Sequence, residues 1–218
     1  MTVSRRDFIG RFLTATAAGT TALAAPSLLA APAPTVWRNW SGGLAATPRS
    51  RVAPASEAEL AAFMKRTEGP LRPVGSGHSF SPLVPTDGDL IVIDRLRGII
   101  ETDDAARSAW VHAGTRLSEL GPLLEARDQA PENLPDIDRQ TLAGALGTAT
   151  HGTGDFRSLP GYVDALRIVL PSGEVREIDA SEPDLLAAAA VNLGSLGVIT
   201  AARLRNRAPY HLCAQDGP

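Results

Sequence analysis

An α+β fold is expected from three features of this sequence. Strand-like and helix-like segments follow one another irregularly, without a sustained βαβ rhythm. Two glycine-rich stretches interrupt them, and no capped helix opens after the first. No repeat of solenoid period runs along the 218 residues. Apolar residues make up 44% and charged residues 21%, the balance of a globular chain able to bury a core.

The elements follow from local pattern. Arg51 to Ala53 is a short strand, and Ser56 followed by Glu59 has capping-box spacing ahead of Leu60, Phe63 and Met64, which predicts a helix over 57–67. Leu71 to Val74 returns as a strand and runs into a glycine turn. Leu90 to Ile93 reads as a buried strand, and Ile99-Ile100 with Ala109 to Val111 form a hairpin around Asp103-Asp104. Thr115 is placed to cap a helix bearing Leu117, Leu120, Leu123 and Leu124, ended by the Pro131 to Pro135 stretch. Two strands, Ala165 to Leu170 and Val175 to Ile178, turn at Pro171 to Glu174. Ser181 with Asp184 marks a helix start, and Gly194 and Gly197 bracket the exit into a strand from Val198 to Leu204.

The first 33 residues read as an address. Arg5-Arg6 precede a mildly apolar stretch from Phe12 to Ala25 and a small-residue exit, the order of a twin-arginine export signal, here too short and too diluted for a stable membrane span. A periplasmic or secreted protein that folds around its cofactor before export is the expectation. Formal net charge is −3, and removal of the leader's Arg5, Arg6 and Arg11 against Asp7 leaves 18 basic and 23 acidic residues, which argues against a nucleic-acid partner. Cys213 is the single cysteine, so neither a disulfide framework nor a cysteine zinc site can form within the chain.

The chemistry concentrates in two glycine-rich stretches. In Val74-Gly75-Ser76-Gly77-His78-Ser79 a strand ends in a small-residue turn whose backbone amides can converge on an anion. A Rossmann fingerprint would need a third glycine where Phe80 stands, and no GKS or GKT occurs, so neither the NAD motif nor a nucleotide-triphosphate P-loop is present. The second stretch, Thr141 to Gly154, interleaves hydroxyls and glycines. Thr141, Gly144, Thr148, His151 and Gly152 are its candidate contacts to phosphate and ribose oxygens. Either stretch alone is more often only a turn; the two together point to a dinucleotide clamp. Among His78, His112, His151 and His211 none has metal-site spacing. His112 beside Trp110 reads as structural, and His78, flanked by small residues, reads as facing a ligand.

Several of these motifs, in this order, resemble the aldonolactone oxidase and alditol oxidase group of the vanillyl-alcohol oxidase flavoproteins, which carry a PCMH-type FAD-binding domain. The resemblance rests on Asn39-Trp40-Ser41-Gly42, Val74 to Ser79, Thr86-Asp87-Gly88, Ala143-Gly144 with Thr150 to Gly154, and Leu193 to Ile199. It implies a two-lobed FAD domain over 34–218, with lobes at about 34–98 and 99–207. It also implies FAD bonded covalently to His78, pyrophosphate on Val74 to Ser79, and adenine against backbone at Val198 and Ile199. A neutral imidazole nitrogen is a suitable nucleophile toward the flavin 8α carbon. The implied reaction is oxidation of a sugar-derived alcohol or lactone, with dioxygen as acceptor and hydrogen peroxide as product. No catalytic base can be assigned, because in this group the substrate-facing groups come largely from a C-terminal domain, which is expected to be missing here. Two other readings stay open: a dehydrogenase with a different electron acceptor, and a truncated flavin-binding protein without turnover.

Overall fold

The computed structural model describes residues 35–153 and 157–211. The expected export segment, Gly154 and Cys213 lie outside the described residues. Among the described residues no helix is long and apolar enough to cross a membrane.

The described residues open with a two-stranded antiparallel ribbon, β1 (Trp37–Arg38) and β2 (Ala45–Ala46). A parallel three-stranded sheet follows, with β5 (Asp89–Val92) between β3 (Ser50–Val52) and β4 (Leu71–Val74). Helix α1 (Glu57–Met64) supplies the crossover that parallel strands require. Its Ser56 side chain accepts from the Glu59 amide at 3.1 Å, while the Glu59 carboxylate accepts from the Ala55 amide at 2.8 Å, a capping box displaced by one residue.

The larger sheet is antiparallel, in the order β10 (Val175–Asp179), β9 (Val163–Val169), β11 (Val198–Arg207), β7 (Ser108–His112), β6 (Ile99–Asp103). A short strand, β8 (Ala130–Pro131), pairs with the end of β11. Among the described residues the remaining helices are α2 (Leu117–Glu125), α3 (Leu142–Gly147) and α4 (Pro183–Ala190), with a 3₁₀ turn at Leu159–Tyr162. The result is mixed α and β with segregated parallel and antiparallel pairing, as the irregular order of elements predicts.

Strand β5 shows why the hydrophobic run at 90–93 has no polar positions. Alternate residues serve opposite cores: Leu90 and Val92 cluster with Trp37 and Val74, while Ile91 and Ile93 join Leu60, Met64 and the large sheet's Val111 and Ile168. On the outer face of the large sheet Trp110 packs on Ala165 and Ala201, and the guanidinium groups of Arg167 and Arg203 lie over its ring at 5.0 and 5.9 Å.

Three local expectations are corrected. Thr115 does not cap α2: its hydroxyl accepts from the Gly98 amide at 2.9 Å, and Arg116 holds the N-cap position. Ser181 does not cap α4, because its hydroxyl donates to Asp179 at 2.7 Å and the helix starts at Pro183. Helix α2 ends before the proline stretch, at a turn where Asp128 takes a φ of 58° and the Gln129 amide bonds back to the Leu124 carbonyl at 3.0 Å.

Strand β5 begins with a buried charge. Asp89 is 4% exposed and is held by Arg49 through contacts at 2.5 and 3.2 Å and by the Ser50 hydroxyl at 2.7 Å. These partners, the Arg49 hydrogen bond foremost, hold its carboxyl below the usual carboxylate range. Asp89→Ala is expected to cost about 1–3 kcal/mol, since Ser50 and Arg49 lose their acceptor. A carboxyl with a depressed folded-state pKa stabilises fully above its unfolded value, and the effect is lost as pH falls through the folded value. Thermal unfolding of the two proteins should therefore differ most near neutrality and converge as pH falls through the lowered folded-state pKa of Asp89.

Candidate functional site

Strand β4 delivers the first turn. Val74, 4% exposed, anchors its end in the small core with Trp37, and the chain then bends through Gly75 to Ser79. The bend is fixed from outside by the Asn39-Trp40 arm. The Trp40 amide donates to the Gly77 carbonyl at 3.1 Å, the Trp40 indole N–H to the His78 carbonyl at 3.0 Å, and the Asn39 side-chain amide to the Ser79 carbonyl at 3.2 Å. Three successive carbonyls are thus bound to the arm, and the amides of Ser76, Gly77, His78 and Ser79 donate to no turn or side-chain acceptor among the described residues. Free amides from one bend form an anion cradle. Two glycines make it possible: Gly77 has a φ of +66°, and a Cβ at Gly75 would overlap the Thr141 hydroxyl oxygen.

The second wall differs from the open loop expected from the sequence. Residues 142–147 are helix α3, capped by Thr141, whose Oγ1 accepts from the Gly144 amide at 3.4 Å. The Thr148 hydroxyl donates to the Gly144 carbonyl at 2.9 Å, and Gln140 donates to Thr150 at 3.0 Å. The hydroxyls expected to face phosphate are therefore already engaged in holding this wall together.

A third wall was missed at the level of residues. After α4 the chain turns through Asn192 to Gly197, with Leu193 at φ 52° and Gly194 at φ 82°. The Asn192 carbonyl oxygen Oδ1 accepts from the Gly194 amide at 2.6 Å, its Nδ2 donates to the Ala189 carbonyl at 2.6 Å, and Gly194 packs so closely on Pro73 that a Cβ would lie 2.7 Å from the ring. The signal was an asparagine two residues before a glycine that follows a helix.

The three walls enclose a cleft with about 1080 Å³ of free space, counting its open mouth. It brings together His78, Val74, Gly75, Ser76, Gly77, Ser79, Thr141, Gly144, Thr148 and Ile199. Three expected residues lie off it. Val198 is 1% exposed and turns into the main core. The exposed His151 ring has Nδ1 at 2.9 Å from the Gly152 carbonyl oxygen, and Gly152 is packed against Asn133 and the Leu134 carbonyl. His78 lines the cleft, and burial, followed by the charges of Arg116 and Arg139, holds its imidazole below the ordinary histidine pKa. The neutral form of the ring is thereby favoured relative to that of an unperturbed histidine.

Free main-chain amides on a glycine turn beside this cleft, in an α+β domain without the NAD or triphosphate motifs, are suited to binding a dinucleotide. The chain belongs to the FAD binding domain family, whose model matches residues 48–179. It is 42% identical over 186 residues to an L-gulono-1,4-lactone dehydrogenase of Mycobacterium tuberculosis, an alignment covering 83% of this chain and 43% of the relative. It is 37% identical over 180 residues to a D-arabinono-1,4-lactone oxidase of Eremothecium gossypii, covering 78% and 34%. With the L-gulonolactone oxidase of Mus musculus it shares 30% identity over 187 residues, covering 84% and 42%. The motif-based resemblance to the aldonolactone oxidase group is borne out, and FAD is the cofactor of the domain. The chain spans less than half the length of these relatives.

The cleft fits that cofactor. Ser76 Oγ is buried without a hydrogen-bond partner beside the free amides, and the space left by the missing side chain of Gly75 keeps the cradle open against Thr141.

Proposed function

We propose that this chain is the FAD-binding portion of an oxidoreductase that oxidises a CH–OH group of a sugar-derived alcohol or aldonolactone. Dioxygen is the acceptor and hydrogen peroxide the product. The reading is carried by the turn from Val74 to Ser79, whose carbonyls are bound outward and whose amides are left for an anion.

In this reading the amides of Ser76 to Ser79 and the Ser76 hydroxyl hold the pyrophosphate, Pro73, Leu193, Gly194 and Ile199 line the adenine end, and the His78 imidazole is the point of covalent attachment. FAD supplies the hydride acceptor, and the residues of this chain bind and orient it. The substrate-facing groups are assigned to a further domain, for which the greater length of the relatives leaves room. Arg5-Arg6 and the stretch after them direct export by the twin-arginine route after the cofactor is bound.

A second reading, a dehydrogenase with another electron acceptor, is favoured by the name of the Mycobacterium tuberculosis relative. One experiment separates them. The flavin chromophore should bleach when an aldonolactone or alditol is added without air to the protein joined with any further domain its gene encodes. Recolouring in air with stoichiometric peroxide supports the oxidase. Recolouring with a quinone or dye but not with air supports the dehydrogenase, and a chromophore that no such substrate bleaches contradicts both.

A further inference from the structure

Trp40 is placed where folding alone gives it little reason to be. The residue is 56% exposed, so its burial contributes little to the core, yet both its backbone and its side chain are committed to the cofactor turn. The indole lies parallel to the His78 imidazole, with ring centroids 5.1 Å apart and planes 14° apart, while its N–H donates to the carbonyl of the same histidine at 3.0 Å. Phe80, 72% exposed, closes against the indole edge-on at 5.6 Å. The arm beneath is itself rigid, because Asn39 Oδ1 accepts from the Leu44 amide and the Asn39 amide donates to the Leu44 carbonyl, both at 3.0 Å.

The ring torsion of a histidine is broad and roughly two-fold, so a partly exposed imidazole would otherwise sample many planes. A nucleophile that must meet one carbon atom gains most from having its direction fixed beforehand. The stack fixes the plane of the ring, and the indole hydrogen bond fixes the backbone from which the ring projects. We infer that Trp40 is a positioning residue for covalent flavin attachment: it holds the His78 imidazole in the plane from which a ring nitrogen reaches the flavin 8α carbon.

The inference rests on the reading of His78 as the attachment point. In that step a bond forms between a His78 ring nitrogen and the 8α carbon, while one C–H bond at that carbon and the imidazole N–H bond break. The two protons and the electron pair pass to the isoalloxazine, and dioxygen removes them as hydrogen peroxide.

The test is the rate at which apoprotein given FAD in air acquires flavin that stays with acid-precipitated protein. Trp40→Ala should attach flavin on the order of 10- to 100-fold more slowly than wild type. Trp40→Phe, which keeps a stacking face and loses only the N–H, should recover most of the rate. FAD affinity is compared in a His78→Ala background with and without Trp40→Ala, where attachment cannot contribute; because the indole N–H also anchors the turn, it should fall, but by a far smaller factor than the attachment rate. Wild-type rates in Trp40→Ala, or a slowing matched by an equal loss of FAD affinity, would overturn the positioning role and leave the attachment point intact. If Trp40→Ala does not fold, an undiminished need for tryptophan over phenylalanine overturns the stacking role. Wild-type protein that binds FAD and never tethers it overturns the attachment reading, and this inference with it.

Discussion

His78→Ala is expected to abolish acid-stable flavin while leaving dissociable FAD binding in place. The anion cradle is made of main-chain amides from Ser76 to Ser79, and its anchors are the carbonyls of Gly77, His78 and Ser79 held by Asn39 and Trp40. None of these contacts uses the imidazole, so they survive its removal. What disappears is a nucleophilic nitrogen whose neutral form is favoured by burial and by Arg116 and Arg139. Because its pKa is lowered, the fraction of neutral ring, and hence the attachment rate in wild type, should decline with falling pH at a lower midpoint than an unperturbed histidine would give. Flavin in precipitate and supernatant, measured across pH for both proteins, checks both statements. Covalent flavin persisting in His78→Ala would place the link on another residue.

Gly75→Val should have the largest effect on cofactor binding without a bond. Even the first carbon of a side chain at this position overlaps the Thr141 hydroxyl oxygen. Thr141 cannot simply withdraw, since it caps α3 and forms an antiparallel bridge with Arg116. Either the turn or the start of α3 must move, and each is a wall of the cleft. The expected result is a stability loss of about 1–3 kcal/mol from overpacking, and FAD affinity lower by on the order of 100-fold, a misplacement of the cradle converted at about 1.4 kcal/mol per factor of ten. The milder Gly75→Ala combined with Thr141→Ala removes the clashing oxygen. It should recover part of the affinity lost in Gly75→Ala alone even though Thr141→Ala by itself weakens the α3 cap by about 1 kcal/mol. Titration of apoprotein with FAD reads the effect; wild-type affinity in Gly75→Val would show that this turn does not hold the cofactor.

Much of this site was legible because its chemistry resides in short local motifs. Gly75 and Gly77 after a strand announce a bend with free amides, and the absent third glycine at Phe80 separates it from the NAD fingerprint. The buried strand expected at 90–93 and the hairpin at 99–112 were legible for the same reason, since apolar runs and turn residues are adjacent in sequence, whereas the division of β5 between two cores was not.

What stayed hidden depended on tertiary context. The Thr141 to Gly147 segment is rich in glycine and threonine, which propensity reads as loop. It folds as helix because Leu142, Ala145 and Leu146 reach the main core at 0% exposure and Thr141 caps it. Thr115 and Ser181 carry the right side chains for caps, but Gly98 and Asp179 claim them. The wall from Asn192 to Gly197 matters only because Pro73, more than a hundred residues earlier, packs against Gly194. The stack of Trp40 on His78 likewise joins residues 38 positions apart.

The most direct measurement is the mass of the peptide bearing His78, taken from wild-type protein matured with FAD and digested under denaturing conditions. A peptide heavier by one flavin nucleotide, with fragmentation placing the added mass on His78, is the expected result. An unmodified peptide from a preparation that is colourless and stays so when offered FAD would contradict the claim that this turn seats the dinucleotide and aims it at the imidazole.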